Sequence, residues 1–175
     1  GHIVAPTNRR PYGYNWEEWG RLDAIETMEI IKSRYMIDEN RIYLTGHSTG
    51  GHGGWHLGCV FPDQFAALGP SAGWISFWTY RFRGQNSIDT SMIRKMIRRS
   101  TTPSETFMHA DNYRQLGIYI LHGSDDDNVY PDQARMMVEQ LDKTHKDFVY
   151  HEQKGVGHWW DLSDESGADC VDWAP

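Results

Sequence analysis

Cysteine is scarce, with only Cys59 and Cys170 in a chain of 175 residues. Two thiols cannot build a disulfide framework, so a packed core has to hold the fold, and one optional bridge leaves the redox compartment open. Long apolar runs are absent as well. No stretch reaches the roughly 20 consecutive apolar residues of a membrane-spanning helix, and residues 1–20 lack the charged-then-apolar layout of a secretory signal. The chain reads as a soluble piece with no membrane partner, and a periplasmic or secreted location requires a leader ahead of Gly1. Positive charge is in deficit: 17 Lys and Arg against 24 Asp and Glu give a net charge of −7 with His neutral. Such a field repels phosphate backbones, so no nucleic-acid partner is expected. The basic run Arg94, Lys95, Arg98 and Arg99 recurs at helical spacing and reads as a solvated helix face. Internal repeats and low-complexity linkers are missing too, which points to one domain over residues 1–175.

What the chain has is aromatic side chains, including 8 Trp, grouped at Trp16/Trp19, Trp74/Trp78 and Trp159/Trp160. Such groups build a core or wall a cleft. Hydrophobic periodicity switches repeatedly between 2 and 3.6, the signature of strands alternating with helices in a mostly parallel α/β sheet. Strands are expected at Ile3–Ala5, Arg41–Thr45, Phe65–Leu68, Ile118–Leu121 and Phe148–Tyr150. A helix from Glu17 to Tyr35 has Ala24, Met28, Ile31 and Tyr35 on one face, and another runs from about Gly51 to Val60. Pro131 opens a helix that carries Ala134, Met137, Val138 and Leu141. Between Gly73 and Gln115, the pairs Met92/Met96 and Ile93/Ile97 suggest one helix. That region, 73–115, is the candidate for a cap or insertion.

Gly46-His47-Ser48-Thr49-Gly50 matches G-x-S-x-G between an expected strand and an expected helix, the context in which the motif makes a sharp nucleophile turn. Gly46 and Gly50 are expected where side chains would collide with neighbouring backbone. A serine hydroxyl needs a base within hydrogen-bond reach and a carboxylate to orient that base. Functional groups of open parallel sheets gather beyond the carboxyl ends of the strands. Two such segments qualify: His122-Gly123-Ser124-Asp125-Asp126-Asp127-Asn128-Val129 after one strand and Gly157-His158-Trp159 after another. The order is Ser48, an Asp among 125–127, then His158. That is the Ser, Asp, His order of one serine-hydrolase arrangement and differs from the two common serine-protease orders.

The stretch Asp38-Glu39-Asn40-Arg41-Ile42-Tyr43-Leu44-Thr45-Gly46-His47-Ser48-Thr49-Gly50-Gly51 resembles the nucleophile region of the prolyl oligopeptidase-like branch of the α/β-hydrolases. His122-Gly123-x-x-Asp126-Asp127-Asn128-Val129 resembles that branch's acid loop, in which the first Asp of the late pair is catalytic. The resemblance covers nearly the whole chain. It implies an α/β-hydrolase-type sheet flanked by helices, a catalytic set of Ser48, Asp126 and His158, and acyl transfer without a cofactor. One oxyanion donor is the backbone N–H of Thr49. In relatives the second comes from a loop ahead of the strand at Ile3, commonly H-G-G or tyrosine-containing. Relatives are also expected to continue past Pro175 into a covering helix, so the resemblance implies truncation at both ends. Around the elbow the branch also resembles polyester depolymerases and feruloyl or acetyl-xylan esterases. A small-molecule ester substrate is favoured over a peptide. The alternatives are a prolyl oligopeptidase-like peptidase and, from another class, a non-catalytic or incomplete binding module.

Several other residues invite chemistry. His52 and His56 have the i, i+4 spacing of helix-borne metal ligands, but no Glu follows His52, so the zinc-protease pattern fails and no metal is expected. Asp125–Asn128 lacks the glycine and distal Glu of a calcium loop. Arg9, Arg10, Tyr12, Tyr14 and Trp16 lie on the side where the site should open. Tyr12, Trp74 and Trp159 are the candidate substrate-binding residues. His122 is expected to pack beneath the acid loop, and Gly51 to permit close packing of the elbow helix.

Overall fold

The computed structural model describes residues 1–9, 15–80 and 91–160. Tyr12, Arg10, Tyr14 and Cys170 lie outside them. Four strands, β1 (Tyr43–His47), β2 (Ala67–Ser71), β3 (Gly117–Gly123) and β4 (Phe148–Gln153), form one sheet in the order β1-β2-β3-β4. Every neighbouring pair is parallel. The helices α1 (Glu18–Arg34), α2 (Thr49–Val60) and α5 (Asp132–Leu141) fall where the periodicity puts them. A single turn α3 (Phe77–Tyr80), the helix α4 (Met92–Ser100) and a 3-10 segment at Thr106–Tyr113 occupy the stretch between β2 and β3.

The core lies between the sheet and α2, α5 and the 3-10 segment. Leu68, Ile118 and Ile120 meet Trp55 of α2 and Met137 and Leu141 of α5, all essentially without solvent exposure. Each such side chain contributes roughly 1.5–3 kcal/mol when buried. Ile75, Ala110 and Tyr113 belong to the same cluster, and the Tyr113 hydroxyl donates to the Trp55 carbonyl at 2.7 Å. The region 73–115 is thus anchored in the main core at both of its ends.

Four expectations change. Ile3–Ala5 is not a strand: Ile3 is wholly exposed and residues 1–7 have no regular structure. A strand exists only by pairing, and no described residue pairs with this segment. β1 begins two residues later than expected because the chain at Glu39–Arg41 winds into a 3-10 turn, with the Asp38 side chain accepting from the Asn40 N–H at 3.1 Å. β2 extends through Gly69-Pro70-Ser71, where glycine and proline disguise a segment that nevertheless registers Gly46 with Pro70 and His47 with Ser71. Finally, α4 forms as expected, yet Met92, Ile93 and Met96 are all more than 60% exposed. Arg94 lies over the Trp78 ring at 5.7 Å, while Lys95, Arg98 and Arg99 are exposed as expected of a solvated face. Among the described residues no helix is long and apolar enough to cross a membrane.

Candidate active site

Ser48 sits between β1 and α2 with φ 58° and ψ −114°, a conformation that L-residues adopt only under external constraint. Its N–H donates to the Ser71 carbonyl at 2.9 Å, and its carbonyl accepts from the His52 N–H at 3.0 Å. Two glycines permit this turn. A Cβ on Gly46 would stand 2.5 Å from the Gly50 backbone, and one on Gly51 would stand 2.3 Å from the Ser71 carbonyl oxygen. Gly50 differs from expectation, since a Cβ there meets nothing within 4 Å. The steric requirement in the second half of the motif falls on Gly51.

Asp126 follows β3 and is 2% exposed, whereas its neighbours Asp125 and Asp127 face solvent. Its Oδ1 accepts the backbone N–H groups of Asn128 at 3.0 Å and Val129 at 2.9 Å. Its Oδ2 faces His158 Nδ1 at 2.7 Å, and His158 Nε2 faces Ser48 Oγ at 2.9 Å. The carboxylate accepts, so Nδ1 carries the hydrogen and Nε2 offers a lone pair to the serine hydroxyl. Burial works against charge on Asp126. Donation from His122, His158 and Val129 outweighs it and holds the carboxyl below its ordinary range.

The loops bearing Asp126 and His158 are tied together. Ser124 N–H donates to the Gln153 carbonyl and Asp125 N–H to the Val156 carbonyl, both at 2.9 Å. Gly155 N–H donates to Ser124 Oγ at 2.8 Å. Around His158 stand His47, with ring centroids 4.9 Å away, and Trp159, at 5.0 Å and nearly perpendicular. Desolvation, reinforced by the neighbouring His158, lowers the pKa of His47.

The other sequence candidates are placed as follows. Trp159 is 76% exposed beside His158. Trp74 is 3% exposed and stacks on His52 and Tyr80 at 4.8 and 4.4 Å. Its expected place in a substrate wall is therefore corrected to the interior, where it packs against the elbow helix. Thr49 is the first residue of α2, so its N–H is among the four that have no partner within the helix. Arg9 pairs with Asp23 and Glu26 and serves its own loop. His52 and His56 are fully buried. Nδ1 of His52 faces the Trp74 carbonyl at 3.0 Å, and its Nε2 faces Glu17 Oε1 at 3.3 Å. Among the described residues no set of three His, Cys, Asp or Glu side chains has metal-binding geometry.

Sequence reasoning missed one contact. His122 Nε2 lies 3.2 Å from Asp126 Oδ2 as well as 2.7 Å from the Val129 carbonyl. The available signal was the strand pattern, in which Ile118, Ile120 and His122 share a buried face, so a titratable ring ends an apolar stripe.

The sequence model of the prolyl oligopeptidase family matches residues 9–171. This chain belongs to that family. An uncharacterized secreted protein of Arthroderma benhamiae is 28% identical over 89% of this chain and 18% of its own length. A poly(3-hydroxybutyrate) depolymerase of Ralstonia pickettii is 46% identical over 44 residues, 25% of this chain and 9% of that protein. The crystal structure of a thermostable esterase superposes with a TM-score of 0.60 at 25% identity, covering 79% of this chain and 29% of that one. The chain spans less than a third of the length of each. The parallel sheet, the strand order and these relatives identify an α/β-hydrolase fold, and family and fold together are those of serine hydrolases.

Proposed function

We propose that this chain carries the catalytic centre of a serine hydrolase that cleaves a carboxylic ester or a peptide bond through an acyl-enzyme, with an ester favoured. The observation that carries this reading is the unbroken line from Asp126 Oδ2 through both nitrogens of His158 to Ser48 Oγ, at 2.7 and 2.9 Å. Ser48 Oγ attacks the carbonyl carbon while its proton passes to His158 Nε2. The tetrahedral intermediate collapses, the bond to the leaving oxygen or nitrogen breaks, and His158 returns the proton to that atom. Water then takes the place of serine in a second round and releases the acid. Asp126 keeps the imidazole in the required tautomer and stabilises the imidazolium.

The Thr49 N–H supplies one donor to the developing oxyanion. A second donor is assigned to no described residue. Trp159, exposed and packed edge-on against His158, offers an apolar wall to the group on either side of the scissile bond. The local identity to a polyester depolymerase and the likeness to an esterase favour an ester, while the family as a whole favours a peptide. The secreted relative supports an extracellular setting.

A fluorophosphonate probe tests the reading. The wild-type full-length protein should label and Ser48→Ala should not. If the wild type fails to label, the chain is a binding module and the enzymatic reading falls. Comparison of aryl esters, acylated sugars and short peptides as substrates then decides between ester and peptide.

A further inference from the structure

The Val129 carbonyl can only accept a hydrogen bond, so His122 Nε2, 2.7 Å away, carries a hydrogen. The same nitrogen lies 3.2 Å from Asp126 Oδ2, and His122 is among the groups that hold that carboxyl below its ordinary range. Oδ2 is the oxygen that takes the His158 N–H, while both donors to Oδ1 are backbone groups of the acid loop itself. His122 comes from the end of β3 and is fully buried. Its Nδ1 is buried with no partner among the described residues, so a second proton there would have no acceptor. The titratable groups around it are Asp126 on its own loop, His158 beyond that carboxylate, His47 at the end of β1 and Glu152, its register partner on β4.

We propose that His122 is a positioning residue of the hydrolytic centre: its Nε2–H, shared between the Val129 carbonyl and Asp126 Oδ2, fixes the carboxylate so that Oδ2 points at His158. The inference rests on the serine-hydrolase reading above. Without this donor the carboxylate keeps the two backbone contacts to Oδ1 and is free to tilt about them. Tilting loosens the orientation of His158 without touching substrate. A histidine that merely fills space needs only the Val129 carbonyl, and the two roles separate by experiment.

His122→Phe keeps the ring volume and removes the N–H, whereas His122→Gln places an amide N–H near the position of Nε2. In the full-length protein, His122→Phe should lower kcat by about 10- to 100-fold, the range set by one hydrogen bond to a charged group, with KM changed by less than about twofold. His122→Gln should recover most of the loss. The downfield proton resonance of the His158–Asp126 hydrogen bond should move in His122→Phe and stay near its wild-type position in His122→Gln. Long-range 15N–1H correlation on the wild type gives a reading independent of any variant's folding, and should place the His122 proton on Nε2. A proton on Nδ1 instead, or a kcat in His122→Phe within about twofold of wild type, overturns the assignment while the hydrolase reading stands. Failure of the wild type to label with fluorophosphonate overturns both.

Discussion

Two buried histidines, each paired with a carboxylate, stand at the first turns of α2, and they differ in what the second ring nitrogen meets. His158 faces Asp126 with one nitrogen and a serine hydroxyl, a group able to donate, with the other. His52 faces Glu17 with one nitrogen and the Trp74 carbonyl, which can only accept, with the other. The Asp126 pair is closed to solvent while Glu17 is half-buried, yet both hold their carboxyl below its ordinary range: burial alone would raise Asp126 and Glu17, but hydrogen bonds and neighbouring histidines outweigh it. Burial and pairing therefore do not make a base. Of these two histidines it is His158 that turns a lone pair toward a donor, which is why the proposed base is His158 and not His52. The His52 pair instead ties the start of α1 to the elbow helix, with Ser104 also donating to Glu17.

Substitution of the two histidines breaks the comparison most sharply. His158→Gln should lower kcat by about 10⁵- to 10⁶-fold, the scale on which removal of a triad base acts, while His52→Gln should leave kcat within about threefold. Steady-state turnover of an aryl ester measures both. The carboxylates come next. Asp126→Asn should cost about 10⁴-fold in kcat, because the amide imposes the wrong tautomer on His158, and Glu17→Gln should cost little activity. If Asp125→Asn or Asp127→Asn proved the more damaging, the acid would be misassigned.

Acid stability separates the pairs by a smaller margin. Desolvation lowers the pKa of His56, beside Glu17, to about 4 from an ordinary 6.5. The unfolded chain takes up this proton first, so the stabilising contribution is complete above about pH 6.5 and is lost as pH falls towards 4. The loss amounts to about 3 kcal/mol at most. The depressed carboxyls of Asp126 and Glu17 act in the same sense at lower pH, since their contributions are present above the unfolded values near 4 and vanish below the folded ones. Denaturant midpoints measured from pH 4 to 7 should therefore rise with pH, and His56→Phe should flatten the slope. The smallest effect is expected at Gly51, which lies between Ser48 and His52 and so serves both pairs. Gly51→Ala sets a methyl against the Ser71 carbonyl and should cost about 1–3 kcal/mol in chemical denaturation, whereas Gly50→Ala should not destabilise.

The parallel sheet and its main helices were legible because buried parallel strands are apolar throughout and amphipathic helices repeat at 3.6, and both patterns survive in a single sequence. The serine, the acid loop and the histidine loop were legible for a related reason: each follows a recognisable strand. Ile3–Ala5 misled because an apolar β-branched run reads the same whether or not a neighbour is present to pair with it. Trp74 misled because aromatic rings serve cores and clefts alike, and only its stacking on His52 and Tyr80 decides between them. His122 was placed beneath the acid loop, but its reach to Asp126 depends on the curl of Asp126–Val129, which no periodicity encodes.

The ties between Ser124 and Gln153, Asp125 and Val156, and Gly155 and Ser124 make the Asp126 loop and the His158 loop one mechanical part. Asp126 and His158 are 32 residues apart and ride together, while Ser48 is 110 residues from His158 and belongs to the other part. The seam of the site is thus one hydrogen bond, flanked by the packing of the His47 ring on His158 and Trp159. In the proposed hydrolase, a displacement between these two parts would lengthen the Ser48–His158 contact while leaving the Asp126–His158 alignment in place, and would be read as slow acylation.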